Sequence, residues 1–385
     1  MLMIKDYDIP TAIKECDYIV VGSGFFGATI SRLLAKQHGK KILILEKRNH
    51  VGGNAYSYKD LETNIDIHLY GSHIFHTSNR KVWDFVTSFS KFVRYEHRVF
   101  SRFENRVFNL PINLQTLSQF FGKAFTPESA GEFLRMPPHQ AEESFEDRAI
   151  ATIGEELYEA FFKEYTIKQW GIEPSSLPAS TFSRLPIRFN FDSRYFQDEF
   201  QGIPADGYDC LFNNILTHNS ISIALNSDFF SWKKMVKELD KPIIYTGPVD
   251  KYFQYCFGTL GWRTLDLKIE HLSLKDFQGT SVINYPEQKY AFTRIHEFKH
   301  LNPSREYKLP RTVIMKEFSR DAGIADEPYY PINSPKDREI LNKYREMQKF
   351  EKRVLFAGRL GSYQYLDMHM AIASAFSSVD FALAL

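Results

Sequence analysis

Short apolar runs separated by a helical repeat of apolar residues mark the start of the chain. Residues 16–21 are almost all apolar, which is typical of a buried parallel strand. Over 28–36 the apolar residues recur at helical spacing, and residues 42–45 are apolar again. A strand, a helix and a strand in this order predict a βαβ unit. Two later apolar runs, at 242–248 and 354–359, predict further buried strands.

The middle of the chain predicts helices first and an antiparallel sheet afterwards. Apolar pairs recur at helical spacing over 110–175, and the residues at 145–148 are typical of a helix start. A loop is predicted at 171–186, where glycine, serine and proline cluster. Alternating apolar and polar positions predict antiparallel strands over three segments, namely 187–200, 260–300 and 310–318.

The two ends of the chain differ in what their pattern predicts. A helix is predicted from about Met368 to the C-terminus, whereas residues 1–16 precede any clear element and are interpreted as an extension. The fold class is therefore α/β: a Rossmann-like domain combined with a helical part and an antiparallel β-sheet part.

Composition narrows the class of protein. The 385 residues include 48 Lys and Arg against 47 Asp and Glu, a formal net charge of +1. A nearly neutral chain argues against a nucleic-acid binder or a polybasic membrane protein. Aromatic residues are unusually frequent, with 34 Phe, 21 Tyr and 4 Trp. So many rings predict large cores, an aromatic-lined cleft, or both.

The cysteines and the hydropathy pattern bear on the cellular compartment. Cys16, Cys210 and Cys256 are far apart, so neither a disulfide framework nor a zinc site is expected. The first residues lack the apolar segment of a signal peptide, and no run approaches the roughly 18 apolar residues of a membrane span. We therefore expect a reducing, cytoplasmic location and no membrane span.

A glycine fingerprint follows the first predicted strand. Gly22, Gly24 and Gly27 have the GxGxxG spacing and open the predicted helix. Such glycines allow a tight turn and the close approach of a pyrophosphate to the helix N-terminus. Glu46 ends the second strand, where a carboxylate accepts ribose hydroxyls, and this favours FAD or NAD over NADP.

Two further features distinguish FAD from NAD. Gly52 and Gly53 form a second glycine pair just after Glu46, a step that flavoproteins of the glutathione-reductase-like class use near the dinucleotide. Near the C-terminus a predicted strand runs into Gly358 and Arg359. We interpret Arg359 as a bidentate partner of the pyrophosphate, the alternative being a surface ion pair.

Longer motifs are spread over most of the chain. They are GSGFFG, EKRNHVGGNAYS, HLYGSHIFHTSN, FNLPIN, YTIKQWG, RLPIRFNFD, YFQDEFQGIP, YTGPVDKYF, DEPYYPIN and FAGRLGSYQYLDMH. From about Tyr18 to Ala375 this combination resembles bacterial UDP-galactopyranose mutases. The resemblance implies non-covalent FAD that is active when reduced, a homodimer, and a cytoplasmic enzyme that feeds the synthesis of galactofuranose-containing surface polysaccharide.

The resemblance also implies three interleaved domains. The FAD-binding α/β domain, which is glutathione-reductase-like, comprises 17–76, 207–257 and 340–385. The inserted helical bundle comprises 77–92 and 110–182, with a mobile lid at about 171–186. The antiparallel sheet domain comprises 93–109, 183–206 and 258–339.

The reaction that the resemblance implies is an isomerisation, the interconversion of UDP-galactopyranose and UDP-galactofuranose without net redox change. A covalent nucleophile splits ring contraction into easier steps. The implied nucleophile is N5 of reduced FAD, which forms an adduct with the anomeric carbon of the sugar. The tasks left to the protein are to hold the flavin, to neutralise the diphosphate and to orient the sugar.

Site residues follow from the matched motifs. The resemblance places the diphosphate against Arg184 and Arg294 as catalytic residues; from its own pattern alone, Arg184 would be a solvent-exposed loop charge. Further substrate contacts are implied for Phe162, Tyr165, Thr166, Trp170, Tyr195, Asn284, Tyr330 and Tyr365. Taken singly, each tyrosine would more often be a core residue with a satisfied hydroxyl.

Three histidines, His68, His73 and His76, lie close together in the sequence. Their spacing lacks a helical frame and a supporting carboxylate, so no metal site is expected. The resemblance implies that His73 lies beside the flavin and sugar as a catalytic proton relay, supported by His76. The implied cofactor contacts are Gly22, Ser23, Gly24, Phe26, Gly27, Glu46, Lys47, Arg48, Gly53, Asn54, His73, His76, Arg359, Asp367 and Met368.

One departure and two rival functions stay open. His97 stands where some family members carry Asn near the sugar, which leaves acceptance of a 2-acetamido sugar undecided. The first rival is a redox flavoenzyme of the amine-oxidase type, although paired arginines favour an anionic diphosphate. The second is a binding module, because prenyl-protein escort factors share this architecture without using a flavin. Such a module could dispense with His73, Arg359 and Asp367.

Overall fold

The structure, a computed structural model, describes residues 2–4, 8–135, 144–184 and 187–385. Its strands are β1 (Leu2–Met3), β2 (Tyr18–Val21), β3 (Ile42–Leu45), β4 (Ser57–Lys59), β5 (Asp66–His68), β6 (Phe75–Thr77), β7 (Phe92–Arg94), β8 (Val99–Phe103), β9 (Arg106–Leu110), β10 (Phe200–Pro204), β11 (Ile221–Ala224), β12 (Ile243–Tyr245), β13 (Trp262–Leu272), β14 (Val282–Asn284), β15 (Arg294–Glu297), β16 (Thr312–Asp321), β17 (Tyr330–Pro331) and β18 (Val354–Phe356).

The helices alternate with these strands in the first and last parts of the chain and are consecutive in the middle. They are α1 (Ile9–Glu15), α2 (Phe25–His38), α3 (Arg80–Thr87), α4 (Leu114–Phe121), α5 (Pro127–Phe133), α6 (Phe145–Ile153), α7 (Glu155–Tyr158), α8 (Glu164–Trp170), α9 (Gly207–Leu216), α10 (Phe229–Glu238), α11 (Val249–Tyr252), α12 (Pro335–Gln348), α13 (Gly358–Gly361), α14 (Met368–Ser377) and α15 (Val379–Leu383). A π-helical turn, Glu159–Lys163, joins α7 to α8. Of the described helices, none is both long and apolar enough to cross a membrane.

A six-stranded parallel sheet forms the first layer of the fold. Its order is β1-β11-β3-β2-β12-β18, and the predicted βαβ unit is β2-α2-β3. Helices α2, α9 and α14 share one apolar core with one face of this sheet, and α1, α10 and α11 share another core with the opposite face. Its strands are apolar on both faces because both faces are covered, as in doubly wound folds.

The interpretation of residues 1–16 as an extension is wrong. Strand β1 pairs in parallel with β11 at the edge of the six-stranded sheet. Helix α1 buries Ile9 and Ile13 completely in the core beneath the same sheet. Two residues of strand and seven of helix are too short to produce a periodic pattern that sequence alone reveals.

A seven-stranded sheet forms the second layer, in the order β17-β13-β16-β15-β14-β8-β9. Strands β13 and β16 pair over ten residues, and each neighbouring pair is antiparallel except β14 with β8. The antiparallel prediction therefore holds for 260–300 and 310–318, but it is wrong for 187–199, which are irregular before β10. Phe189 and Phe191 supplied the alternation there, yet both rings are exposed.

Helices α4 to α8 pack around an aromatic core that also receives strands β8 and β9. Helix α6 begins at Phe145, as its sequence predicts, and a capping box between Ser144 and Asp147 satisfies its first N–H groups. This helical part lies against the seven-stranded sheet, since α8 contacts β16.

The turn between β2 and α2 yields a stability prediction. A Cβ atom on Gly27 would lie 2.1 Å from the Gly22 carbonyl oxygen, so Gly27→Ala must separate the helix from the strand. We expect the free energy of unfolding to fall by about 2 kcal/mol, as for overpacked cores. Gly131→Ala is the matched control, because Gly131 lies within α5 with no atom within 4 Å of the added Cβ. Urea unfolding of both variants checks this, and equal stabilities would contradict it.

Candidate active site

A first cavity, of about 560 Å³, lies at the carboxyl ends of β2, β3, β12 and β18. This edge of a parallel sheet is where open α/β folds bind their ligands. The predicted cofactor residues Gly22, Ser23, Gly24, Phe26, Gly27, Glu46, Lys47, Arg48, Gly53, Asn54, His73, Arg359 and Met368 all line this cavity. His76 and Asp367 lie outside its lining.

The two glycine motifs lie against each other. Gly22 has a φ of +92° and its N–H donates to the Leu45 carbonyl, which ties the turn to β3. Gly53 approaches Gly24 so closely that a Cβ on Gly53 would lie 3.1 Å from the Gly24 Cα. The wall of the cavity is thus bare backbone next to the N-terminus of α2, which suits a pyrophosphate.

Glu46 is held in place at the end of β3. Its carboxylate accepts hydrogen bonds from the Ser23 N–H and hydroxyl, at 2.9 and 2.6 Å, and from the Arg48 N–H at 3.0 Å. Glu327, which sequence reasoning missed, accepts from Lys47 at 2.6 Å and from Arg48 at 2.7 Å. Although burial alone would raise the pKa of Glu327, Arg48 and Lys47 hold it below its usual value.

His73 lines the same cavity as a neutral ring. Burial lowers the pKa of His73 to about 4. Its Nδ1 lies 2.6 Å from the Gly71 carbonyl oxygen. Because a carbonyl can only accept, Nδ1 carries the proton and Nε2 is left as an acceptor. His68 is likewise neutral, with a pKa lowered to about 3 by burial, and its Nδ1 accepts from the His73 N–H.

His76 turns away from His68 and His73. It stacks on Phe196 with centroids 3.6 Å apart, and its Nδ1 lies 2.7 Å from a carboxylate oxygen of Asp198. The structure also brings His76 to Asp367 and His369, with side-chain nitrogen and oxygen atoms within 4.8 Å of one another. His76 therefore links the segment before β10 to the start of α14.

Arg359 lines the first cavity and reaches towards the second. Its Nη2 donates to the Leu366 carbonyl at 2.8 Å, and its guanidinium lies over the Tyr365 ring at 4.9 Å. Tyr365 in turn stacks on Tyr330, with centroids 5.9 Å apart. Arg359 thus braces the 359–366 turn and touches a tyrosine that sequence reasoning assigned to the substrate.

A second cavity, of about 540 Å³, adjoins the first, and Leu366 lines both. It lies between the helical part and the seven-stranded sheet. Its lining brings together the predicted substrate residues Phe162, Tyr165, Thr166, Trp170, Tyr195, Asn284, Arg294, Tyr330 and Tyr365. The Oδ1 of Asn284 and the Nε of Arg294 are buried without a hydrogen-bonding partner among the described residues.

Arg294 and Glu317 form the charged centre of the second cavity. They are opposite residues of β15 and β16, and the Arg294 Nε lies 3.5 Å from a Glu317 oxygen. Although burial alone would raise the pKa of Glu317, Arg294 and His296 lower it to about 2. Arg294 also donates to the Tyr165 hydroxyl, so its position is set from both the sheet and α8.

The start of the predicted lid is anchored, whereas Arg184 is only partly placed. Helix α8 ends at Trp170 with Gly171 in the left-handed conformation, φ +70°. The buried Arg263 donates from Nε to the Gln169 carbonyl at 2.9 Å and so caps this helix end. The backbone of Arg184 ends the 3-10 helix Ala179–Arg184. Its side chain and residues 185–186 of the predicted lid lie outside the described part of the structure.

His97, the departure from the family pattern, is buried. Burial lowers its pKa to about 3, so the ring is neutral, and His296 and Arg294 contribute in the same direction. Its Nδ1 lies 3.2 Å from the Tyr95 hydroxyl, and its ring packs edge-on against Tyr195. His97 thus supports a tyrosine of the second cavity.

Sequence reasoning missed the residues that hold this site from behind. Glu317, Asp198 and Glu327 pair with Arg294, His76 and Arg48 respectively. Lys168 donates to four backbone carbonyls of 285–292 and fixes the loop after Asn284; burial lowers its pKa to about 8. No pattern in the neighbouring sequence distinguishes these charged residues from ordinary charged residues at the surface.

The fold and its two adjoining cavities define a Rossmann-type, nucleotide-binding α/β protein. Comparison with family models gives two matches: that for UDP-galactopyranose mutase covers residues 160–365, and that for NAD(P)-binding Rossmann-like domains covers residues 20–89. The chain belongs to the UDP-galactopyranose mutase family. Membership together with the Rossmann-like domain implies a flavin-type cofactor.

Individual relatives agree with this assignment. The chain is 42% identical over 365 residues to a probable UDP-galactopyranose mutase of Klebsiella pneumoniae, covering 94% of this chain and 93% of the relative. It is 40% identical to a dTDP-fucopyranose mutase of Escherichia coli, covering 93% and 96%. A crystal structure of reduced UDP-galactopyranose mutase superposes with a TM-score of 0.68 over 96% of this chain and 94% of that one. At 14% identity, that similarity shows the fold.

The Arg294–Glu317 pair predicts a pH dependence of stability. Because the pKa of Glu317 is about 2 in the folded chain against an ordinary 4.5, its contribution is complete above pH 4.5 and is lost as the pH falls towards 2. The shift corresponds to about 3 kcal/mol. We expect Glu317→Gln to be less stable at pH 7 and to lose less stability over that interval. Urea unfolding between pH 7 and 2.5 measures this, with Glu346→Gln, an exposed ion-pair partner, as control. Parallel curves for wild type and Glu317→Gln would contradict it.

Proposed function

We propose that this protein interconverts UDP-galactopyranose and UDP-galactofuranose, with FAD bound non-covalently and active when reduced. The observation that carries the proposal is the junction of the two cavities. One has the glycine walls of a dinucleotide site, the other holds the half-buried guanidinium of Arg294, which pairs with Glu317, and they share Leu366. Two ligands that meet end to end at Leu366, such as a dinucleotide cofactor and its substrate, would occupy both cavities.

The residues of the first cavity fit FAD. Gly22, Gly24, Gly27 and Gly53 leave room for a pyrophosphate that any Cβ would reduce, and Glu46 offers a fixed carboxylate for ribose hydroxyls. His73 also lines this cavity, and we assign it to the flavin ring. When bound and reduced, FAD supplies the nucleophile N5 for the anomeric carbon, with no net redox change.

The chain supplies the groups for the departing UDP. Arg294 is held by Glu317 and Tyr165, and we assign it and Arg184 to the two phosphates, whose charge they neutralise. We assign Tyr165, Tyr195, Tyr330 and Tyr365 to hydrogen bonds with the phosphates and the sugar. Burial raises the pKa values of Tyr165 and Tyr330, so their hydroxyls remain donors at neutral pH.

Part of the lining of the second cavity suits a pyrimidine base. Phe162, Thr166 and Trp170 line it as stacking and polar partners. The Oδ1 of Asn284, which has no partner among the described residues, is free to accept a hydrogen bond, and uracil presents a matching N–H donor. Thymine presents the same donor, so this contact holds a UDP-sugar or a dTDP-sugar equally.

Histidines complete the proposal on the cofactor side. Neutral His73 accepts at Nε2 and can hold a proton from a sugar hydroxyl. His76, Asp367 and Met368 are assigned to the support of the flavin ring at the start of α14, where the helix N-terminus favours negative charge.

Family membership supports the remaining assignments. We propose the three interleaved domains with the boundaries given above, the lid at about 171–186, and a homodimer. We also propose a cytoplasmic enzyme that supplies galactofuranose for surface polysaccharides.

The activity itself is the first test. Purified protein is expected to be yellow and to convert UDP-galactofuranose to UDP-galactopyranose when dithionite is present. Oxidised protein is the control and should be inactive. Chromatography of both ring forms measures the conversion, with dTDP-fucose and UDP-N-acetylgalactose forms run in parallel, because the Escherichia coli relative is a dTDP-fucopyranose mutase. Colourless protein, or equal rates with oxidised flavin, would contradict the proposal; faster conversion of the dTDP sugar would reassign the substrate.

Arg294 provides the second test. We expect Arg294→Ala to reduce kcat/KM by at least about a hundredfold while the flavin stays bound, since a charge that stabilises the leaving group is lost. Arg320→Ala is the matched control, because Arg320 lies on neighbouring strand β16 in an exposed cluster with Asp266 and Asp326. Steady-state kinetics and the flavin spectrum of both variants decide the matter. Wild-type turnover in Arg294→Ala would show that Arg294 does not bind the diphosphate.

A further inference from the structure

Four polar side chains form a continuous row between the two cavities. The Ser72 hydroxyl oxygen lies 2.8 Å from Nδ1 of His296, and Nε2 of His296 lies 3.1 Å from a carboxylate oxygen of Glu317. The other Glu317 oxygen lies 3.5 Å from the Arg294 Nε. His296 and Glu317 are both only 2% exposed. The three residues behind Arg294 line neither cavity, so none of them reaches a bound ligand directly.

The direction of each hydrogen bond follows from chemistry. With its pKa lowered to about 2, Glu317 is a carboxylate and can only accept, so Nε2 of His296 carries the proton. Burial lowers the pKa of His296 although Glu317 opposes it, so the ring is neutral at pH 7. Nδ1 is then the unprotonated nitrogen and accepts from the Ser72 hydroxyl. The two ring nitrogens therefore have opposite and fixed roles.

The two ends of the row belong to different cavities. Ser72 lies in the turn from Gly71 to His73, and His73 lines the first cavity while its Nδ1 donates to the Gly71 carbonyl. Arg294 lines the second cavity from β15, two residues from His296 on the same face of the strand. The imidazole ring of His296 therefore contacts Ser72, next to His73 of the first cavity, and Glu317, which pairs with Arg294 of the second.

We propose that His296 is a positioning residue with two separable roles. Its Nε2–H holds Glu317, and through it Arg294, in place for the diphosphate. Its Nδ1 holds Ser72, and through it the turn that carries His73, in place for the flavin. The inference rests on the proposed function, in which Arg294 meets the diphosphate and His73 meets the flavin.

Two substitutions of the same histidine separate these roles. The amide of asparagine reaches the position of Nδ1, so His296→Asn keeps an acceptor for Ser72 and loses the donor to Glu317. The amide of glutamine reaches the position of Nε2, so His296→Gln keeps the donor to Glu317 and loses the acceptor for Ser72. Ser72→Ala removes the same contact from the other side. His271→Asn and His271→Gln, at an exposed histidine of β13, are the matched controls.

The readouts are UDP binding to the flavin-loaded protein by calorimetry, and the rate at which the protein releases FAD on dilution. We expect His296→Asn to raise the Kd for UDP about tenfold and to leave FAD release unchanged, because a hydrogen bond to a charged group is lost. We expect His296→Gln and Ser72→Ala each to speed FAD release about fivefold and to change the Kd for UDP less than about twofold. The double variant His296→Gln with Ser72→Ala should release FAD no faster than either single variant, since both remove one contact.

The outcomes distinguish the inference from the function on which it rests. Variants of His296 that move both readouts together, or neither, while the wild type binds UDP and FAD would overturn the two-role inference alone. A wild-type protein that binds no FAD or no UDP would overturn the proposed function and the inference with it. Changes in the His271 controls as large as those at His296 would also count against the inference.

Discussion

The ion pair of half-buried Arg294 with buried Glu317 is the constraint on which the substrate side of the molecule depends. A charge placed in a largely buried cavity is costly unless it is paired and hydrogen-bonded. Glu317 meets that need from the opposite strand, and Tyr165 meets it from α8. Arg294 therefore ties the helical part to the sheet through Tyr165. Arg294 can face an anion because Glu317 compensates its charge from behind.

The two halves of the site meet where the cavity of the parallel sheet adjoins the cavity of the seven-stranded sheet. The parallel sheet ends its strands at one edge, and the glycines of the β2–α2 turn and of 52–53 bare the backbone there. The seven-stranded sheet places Arg294 in the lining of the second cavity. Leu366 lines both cavities and so joins the two halves of the site. The junction of the two cavities distinguishes this chain from a dinucleotide-binding domain that is merely followed by a second domain.

Sequence predicted those parts of the molecule whose signals are local. The β2-α2-β3 unit, the start of α6 and the glycine turn each depend on residues within a few positions. Strand β1 was missed because two residues are too few to show a periodic pattern. Residues 187–199 were wrongly predicted as a strand because Phe189 and Phe191 alternate with polar residues, although both rings are exposed. Glu317 and His296 could not be found, because their roles arise from the register of β15 against β16 and from the contact with Ser72, 224 positions from His296. Motif resemblance supplied the cavity lining but not its supports.

Five histidines with lowered pKa values have a common electrostatic consequence. Burial lowers the pKa values of His68, His73, His97, His296 and His369, so five imidazoles stay neutral at pH 7. A neutral ring donates at one nitrogen and accepts at the other, whereas a lysine or carboxylate would add a charge that the interior must compensate. Of the arginines whose side chains the structure describes, Arg294 lines the second cavity, and Arg359 lines the first and contacts Leu366, which lines both. Neutral histidines order the polar groups around these two arginines without repelling them, which lets a chain of net charge +1 present a concentrated cationic site.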